Sequence, residues 1–227
     1  MTLTKTTTSK RLGVMCSGKG TNFENIVRTC TKHEVVLMIH DKKDCGAVKR
    51  AAKFGIAHIH IKHKKEDEMV ALFKAWNVDL IILAGYMRVL KNPSAFHCPI
   101  INVHPSLLPK YKGLHAVEQA LDSNDTVTGC TVHKVNEELD GGEILAQKEV
   151  EILPDDTIET LTRRIQLMEY FLVPHVIDNY ETTVSESEGK TLSTVGPRPT
   201  YRREEHSSRG HREQIDGGGW RRLDYGS

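Results

Sequence analysis

Short runs of consecutive apolar residues alternate along the chain with segments of helical periodicity. The apolar runs predict strands at residues 12–16, 35–39, 56–61, 78–84 and 100–103. Helical patterns lie between them at residues 22–33, 45–54 and 67–76. Because these strands are continuously apolar and do not alternate with polar residues, they predict a parallel sheet that helices cover on both faces.

The pattern changes after Leu121. Two β-rich runs, at residues 128–135 and 143–152, indicate an antiparallel extension of the sheet. A long helix is expected to begin near Asp155 or Asp156, with Glu159 placed for a capping box, and Pro174 is expected to kink its final turns. Its predicted apolar stripe is Ile158, Leu161, Ile165, Met168, Leu172 and Val176. The predicted fold is therefore α/β, a Rossmann-like, doubly wound, mostly parallel sheet with helices on both faces and an antiparallel C-terminal extension.

Three parts follow from the composition along the chain. Residues 1–10 are rich in threonine and predict a flexible N-terminal segment, and residues 11–182 form the predicted catalytic domain. Residues 183–227 are rich in Ser, Gly, Arg and Glu and have few apolar side chains, so they cannot bury enough surface to offset the entropy of ordering. We expect this segment to be a low-complexity, disordered tail.

Charge, hydropathy and cysteine spacing narrow the class of protein. The formal net charge is +1 in 227 residues, which argues against a protein that mainly binds nucleic acid or a membrane. No run of eighteen apolar residues predicts a membrane span. The five scattered cysteines have no CxxC spacing, a pattern typical of reduced thiols and not of a metal site. The expected location is the cytoplasm.

Polar groups occur where the last apolar strand ends. Asn102 and His104 stand two residues apart after Ile100 and Ile101, so their side chains point to the same face of an extended strand. An imidazolium and an amide are suitable donors to a developing oxyanion. Asp140, in an Asp-Gly-Gly turn, would raise the imidazole pKa if it lay beside His104, but spacing alone does not bring the two together.

A glycine-containing loop follows the first predicted strand. Residues 17–22 read Ser-Gly-Lys-Gly-Thr-Asn, and a helix start after such a loop can bind a phosphate ester. The alternative is a plain tight turn with Thr21 or Asn22 as helix cap.

Weaker candidates remain. His58, His60 and His63 favour a solvated surface over a metal site, and His133 faces either the cleft or a neighbouring strand. Residues 87–90 could be a loop that simply returns to the core.

Five segments together resemble the folate-dependent formyltransferase family, over roughly residues 11–180. They occur in family order at residues 17–22, 84–90, 102–115, 129–133 and 138–142. Within the family, residues 110–115 resemble the branch that formylates phosphoribosylglycinamide in purine synthesis more than the tRNA-modifying branch.

The resemblance implies a transferase that uses 10-formyltetrahydrofolate as co-substrate and no metal. It implies Asn102, His104 and Asp140 as catalytic residues. It also implies substrate contacts from the glycine loop, Glu169 and His133, and a folate pocket along residues 87–90. The predicted substrate-binding residues are Gly18, Gly20, Thr21, Asn22, His133 and Glu169, and the predicted folate-binding residues are Met87, Arg88, Val89 and Leu90. The expected partners are these small molecules, in a monomer or weak homodimer.

Two segments depart from the family pattern, and other functions remain open. Residues 61–70 are shorter than expected, and the tail after residue 182 differs from the usual ending. A formyltetrahydrofolate hydrolase or a sugar-amine formyltransferase could use the same three catalytic residues. A non-catalytic binding module whose tail recruits a partner is a further alternative.

Overall fold

The computed structural model describes residues 9–180 of the chain. Seven strands and five helices follow one another there, with a short 3₁₀ turn at Pro93–Ala95. The strands are β1 (Arg11–Cys16), β2 (Glu34–His40), β3 (His58–His60), β4 (Leu80–Leu83), β5 (Ile100–His104), β6 (Val127–Lys134) and β7 (Ile144–Glu151). The helices are α1 (Thr21–Thr29), α2 (Gly46–Phe54), α3 (Glu66–Ala75), α4 (Ala116–Leu121) and α5 (Ile158–Asn179).

The strands form one sheet in the order β3-β2-β1-β4-β5-β6-β7. The pairings from β3 to β5 are parallel, whereas β5 with β6 and β6 with β7 are antiparallel. The predicted fold class, including the antiparallel extension, is confirmed. Parallel strands β1 and β4 are buried on both faces, which explains why their sequences are continuously apolar.

Helices cover both faces of the sheet. One core joins Phe23 and Ile26 of α1 to Leu161 and Ile165 of α5. The other core, on the opposite face, centres on Met69 and Phe73 of α3 and includes Tyr86, Leu90 and Phe96 from the loops after β4. Cys16 and Cys130 are fully buried in the first core, as expected of small apolar residues.

Several local predictions were wrong. The N-cap of α5 is Thr157, not Asp155 or Asp156, and its capping box uses Thr160 in place of Glu159, because a threonine hydroxyl can serve at both positions. Ile158 is half exposed and does not join the buried stripe of α5, which begins at Leu161.

The shorter helices α1 and α4 also differ from what the sequence predicted. Helix α1 begins at Thr21 after a left-handed Gly20, so neither Thr21 nor Asn22 is its cap, and it ends at Thr29 rather than at residue 33. The six-residue α4 had no periodic pattern long enough to predict it.

The predicted terminal segments lie largely outside the described residues. The predicted flexible segment at 1–10 overlaps the description only at Ser9 and Lys10, and the predicted tail at 183–227 lies entirely beyond it. Within residues 9–180, none of the helices is both long and apolar enough to cross a membrane.

Candidate active site

The carboxyl ends of the parallel strands meet at one edge of the sheet, where β5 delivers its two polar side chains. Asn102 and His104 lie opposite His133 and Thr131 of the antiparallel neighbour β6. Asp140 comes from the loop between β6 and β7. Its carboxylate lies 3.4 Å from His104 Nδ1 through one oxygen and 3.5 Å from Asn102 Nδ2 through the other. The three side chains that spacing alone could not bring together therefore meet.

Both ring nitrogens of the buried His104 have a neighbour. Nε2 donates its hydrogen to the carbonyl of Tyr111 at 2.8 Å, because a carbonyl can only accept. That bond leaves Nδ1 to face Asp140. Tyr111 has a φ of 56°, a left-handed conformation that is uncommon outside glycine. The backbone at Tyr111 thus fixes which nitrogen of His104 faces the site, a role that the side-chain pattern of the sequence did not reveal.

The carboxylate of Asp140 is held ionised by its neighbours. The N–H of Gly113 donates to it at 2.8 Å. Burial acts to raise the pKa of Asp140, but the neighbouring His133 ring, the hydrogen bond from the Gly113 N–H and the nearby His104 ring outweigh burial and lower that pKa. Asp140 itself has a φ of 47°. A negative charge is therefore maintained beside His104, as an imidazolium at that position would require.

His133 joins this group as a fourth side chain. Its Nε2 atom lies 3.2 Å from Asn102 Nδ2 and 3.5 Å from Asp140 Oδ1. Of the two positions that the sequence left open, the structure places the His133 ring against the neighbouring strand β5, beside Asn102 and Asp140. Only 2% of the residue is exposed.

The glycine loop leads from β1 directly into α1. Gly20 is left-handed, with φ 73°, and precedes the first helical residue. A Cβ at Gly20 would lie 2.6 Å from the Cα of Ala47, so only glycine lets the loop lie against the start of α2. The unpaired N–H groups of the first helical turn, at Thr21 and Asn22, carry partial positive charge suited to an anion.

Asn22 connects this loop to the last helix. Its Nδ2 atom donates to Glu169 Oε2 at 2.7 Å, and its Oδ1 atom is buried without a hydrogen-bond partner among the described residues. Glu169 is 6% exposed. Burial raises the pKa of Glu169 to about 7, against the opposing effect of the Asn22 hydrogen bond. The predicted substrate residues of α1 and α5 are thus in direct contact.

The predicted folate segment follows β4 and is tied to the glycine loop. The Met87 N–H donates to Ser17 Oγ at 2.9 Å. Met87 and Val89 are 56% and 65% exposed, whereas Leu90 is buried in the core. Exposed apolar side chains that lie close together can form part of a ligand-binding surface.

Arg88, in the same segment, is oriented by a residue that the sequence analysis missed. Its Nε atom donates to Asp41 Oδ2 at 2.6 Å. Asp41 directly follows β2, and the rule that polar residues after parallel strands face the site could have identified it.

The remaining histidine motif does not form a metal site in the described part of the chain. His58 and His63 are exposed, and His58 Nδ1 lies 3.4 Å from His40 Nε2. Among residues 9–180, no group of three or more histidine, cysteine or acidic side chains has the spacing to hold a metal ion.

Comparison with known proteins identifies similar sequences over the described domain. The model of the formyl transferase family matches residues 10–177. A phosphoribosylglycinamide formyltransferase of Haemophilus influenzae is 38% identical over 181 residues, which cover 74% of this chain and 85% of that protein. The trifunctional purine biosynthetic protein adenosine-3 of Drosophila pseudoobscura pseudoobscura is 40% identical over 183 residues. Those residues cover 74% of this chain but only 13% of the trifunctional protein.

Solved structures give the same result. The phosphoribosylglycinamide formyltransferase of Bacillus halodurans has a TM-score of 0.71 and 40% identity, and the alignment covers 74% of this chain and 94% of that one. Glycinamide ribonucleotide transformylase 1 from Symbiobacterium toebii has a TM-score of 0.73 and 36% identity, covering 78% and 90% of the two chains. The similarity in fold thus extends over nearly the whole of these two solved chains.

Proposed function

The chain belongs to the formyl transferase family, and from that premise we propose that it transfers the formyl group of 10-formyltetrahydrofolate to the amine of 5'-phosphoribosylglycinamide. The observation that carries the proposal is the convergence of Asn102, His104 and Asp140 at one end of the sheet. The phosphoribosylglycinamide formyltransferases of Haemophilus influenzae and Bacillus halodurans are similar to this chain along most of their own length, which supports this acceptor.

The acceptor binds between the glycine loop and α5 in this proposal. Gly18, Gly20, Thr21 and Asn22 hold the substrate phosphate at the start of α1, where backbone N–H groups favour an anion. Glu169 then accepts a hydrogen bond from the substrate's amine. The Asn22 to Glu169 hydrogen bond supports one continuous acceptor pocket, because it joins the phosphate and amine positions.

The proposed chemistry is direct attack of the neutral amine on the formyl carbon. The tetrahedral oxyanion is stabilised by the Asn102 amide and by His104 as an imidazolium. Because His104 Nε2 donates to Tyr111, the atom available to the oxyanion is Nδ1. Asp140 sustains the imidazolium charge and assists transfer of a proton from the attacking amine to the departing folate nitrogen. Collapse of the tetrahedral intermediate then breaks the bond between the formyl carbon and that nitrogen and releases tetrahydrofolate. Side-chain donors at both positions make a metal ion unnecessary to this route.

The folate co-substrate lies along Met87, Arg88, Val89 and Leu90 in the proposal. Exposed Met87 and Val89 offer apolar surface to the pterin ring, and the backbone groups of the segment can pair with its polar edge. The bond from Met87 N–H to Ser17 supports a fixed position for this segment relative to the acceptor pocket.

We also propose small molecules as the only substrates, and a cytoplasmic enzyme that is a monomer or weak homodimer and does not bind nucleic acid or membranes. The near-zero net charge supports a protein that does not bind nucleic acid or anionic membranes. The five cysteines are all free thiols and four of them are buried, which supports a reducing compartment.

A transfer assay with the full chain tests the function. Purified protein, 10-formyltetrahydrofolate and phosphoribosylglycinamide should yield formylated product at a rate that depends on both substrates. Rapid formate release without an acceptor would indicate a hydrolase, and transfer to an amino sugar alone would indicate a sugar-amine formyltransferase. Either outcome would contradict the proposed acceptor.

A further inference from the structure

His133 lies beside the proposed catalytic residues, and both of its ring nitrogens already have partners among the described residues. It is the register partner of Asn102 across the antiparallel pairing of β5 and β6. Its side chain is 3% exposed. The three catalytic side chains leave unexplained what holds the amide of Asn102 in one orientation, and His133 is within hydrogen-bond distance of that amide.

The hydrogen bonds of His133 fix where its proton resides. Nδ1 lies 2.8 Å from the carbonyl of Lys134, the next residue. A carbonyl accepts only, so Nδ1 must carry a hydrogen. In the neutral ring Nε2 then carries a lone pair and can only accept. Asn102 Nδ2 faces it at 3.2 Å and must therefore be the donor.

This arrangement determines the orientation of the amide. An asparagine side chain has two ends of similar shape, one that donates and one that accepts, and it can turn over unless a neighbour distinguishes them. An acceptor at Nε2 selects the nitrogen end. The second hydrogen of that nitrogen then points away from His133. Asp140 Oδ1 lies on that side at 3.5 Å, the outer limit of a hydrogen bond, so this hydrogen can be donated to a reacting oxygen.

We propose that His133 is a positioning residue that holds the Asn102 amide, through a lone pair on Nε2, with its N–H directed to the reacting oxygen. The proposal rests on the proposed function for its effect on rate, although the geometry itself does not. His133 would act through Asn102 and would not contact the formyl group.

Two variants of His133 separate this role from simple packing. Glutamine can place an acceptor oxygen near the Nε2 position. Asparagine is too short to reach that position and can replace only the Nδ1 donor that faces the Lys134 carbonyl. We expect the kcat of His133→Asn to fall about 5–10-fold, the value of one neutral hydrogen bond. The KM of both substrates should change less than about 2-fold. His133→Gln should recover at least about 3-fold of the lost kcat.

A double-mutant cycle identifies the residue through which His133 acts. In an Asn102→Ala background His133→Asn should have almost no further effect on kcat, because the amide that it orients is absent. Equal losses of kcat in both backgrounds, equal damage from Gln and Asn, or a loss confined to KM would each overturn the proposal.

A measurement that does not depend on activity completes the test. Nitrogen NMR of the full chain labelled with ¹⁵N-histidine should show the neutral His133 ring with its proton on Nδ1 and none on Nε2. His133→Gln assigns the resonance. A proton on Nε2, in a neutral or a charged ring, would refute the proposal. If the wild-type chain transferred no formyl group, the proposed function would fail while this tautomer test still applied.

Discussion

Replacing Glu169 with glutamine should stabilise the protein above neutral pH. The carboxyl group is almost fully buried, and burial raises its pKa from the ordinary 4.5 to about 7. In the unfolded chain the same group ionises near 4.5. Between these two values the folded state binds more protons than the unfolded state, so the free energy of unfolding falls as the pH rises.

The magnitude follows from the difference between the two pKa values. A separation of roughly 2.5 units at about 1.4 kcal/mol per unit gives a loss of about 3 kcal/mol between pH 4.5 and pH 7. Above pH 7 the loss is complete and constant. Glutamine cannot ionise, and its carbonyl oxygen can still accept the hydrogen bond from Asn22. Its amide nitrogen adds a donor near Asn22 Oδ1, which has no partner among the described residues.

Urea denaturation at pH 5 and pH 8 measures this effect. At pH 8 the free energy of unfolding of Glu169→Gln should exceed that of wild type by about 3 kcal/mol. At pH 5 the difference should be less than about 1 kcal/mol. Glu149→Gln, at an exposed position of β7, is the matched control. Its difference from wild type in the free energy of unfolding should be the same at both pH values. An equal difference between Glu169→Gln and wild type at both pH values would refute the reasoning. If Glu169 holds the substrate amine, the stabilised variant should also show a raised KM for the acceptor.

Three further predictions concern the proposed site. His104→Ala should lower kcat by ~10²–10³ while the thermal unfolding midpoint stays within a few degrees of wild type, and turnover near the wild-type rate would contradict the mechanism. Gly20→Ala should cost about 1–3 kcal/mol in urea denaturation and weaken acceptor binding, because its left-handed backbone and the nearby Ala47 leave no room for a Cβ; a neutral effect on both would show that the loop tolerates a side chain. Asp41→Asn should raise the KM for the folate about 10-fold at unchanged kcat, because Arg88 loses its charge-assisted partner. An unchanged KM would remove Arg88 from the folate pocket.

The sequence predicted the sheet because burial on both faces produces a strong one-dimensional pattern. The runs at β1, β2 and β4 consist almost entirely of buried side chains, so their position and parallel arrangement could be inferred. Helix boundaries were less certain. At α5 a threonine pair formed the cap where an acidic residue was expected, since several residue types can satisfy the same backbone groups.

The candidate site was predictable as a set of residue types but not as a set of contacts. Asn102 and His104 could be paired from their spacing in β5. The position of Asp140 beside them depends on the register of two antiparallel strands, which a local pattern does not encode. The carbonyl of Tyr111 acts through backbone geometry, which leaves no signature in residue type. The sequence did single out His133 as a substrate-binding candidate, but residue type alone does not show that its ring lies against Asn102.

The contact between α1 and α5 has a consequence for the order in which the site forms during synthesis. Asn22 and Glu169 are 147 residues apart along the chain, and α5 is the last of the described elements to emerge from a ribosome. The strands and loops that carry Met87, Asn102 and His104 are complete before then. The proposed acceptor pocket therefore cannot form on a nascent chain until α5 docks, and the expected binding of the acceptor depends on that step.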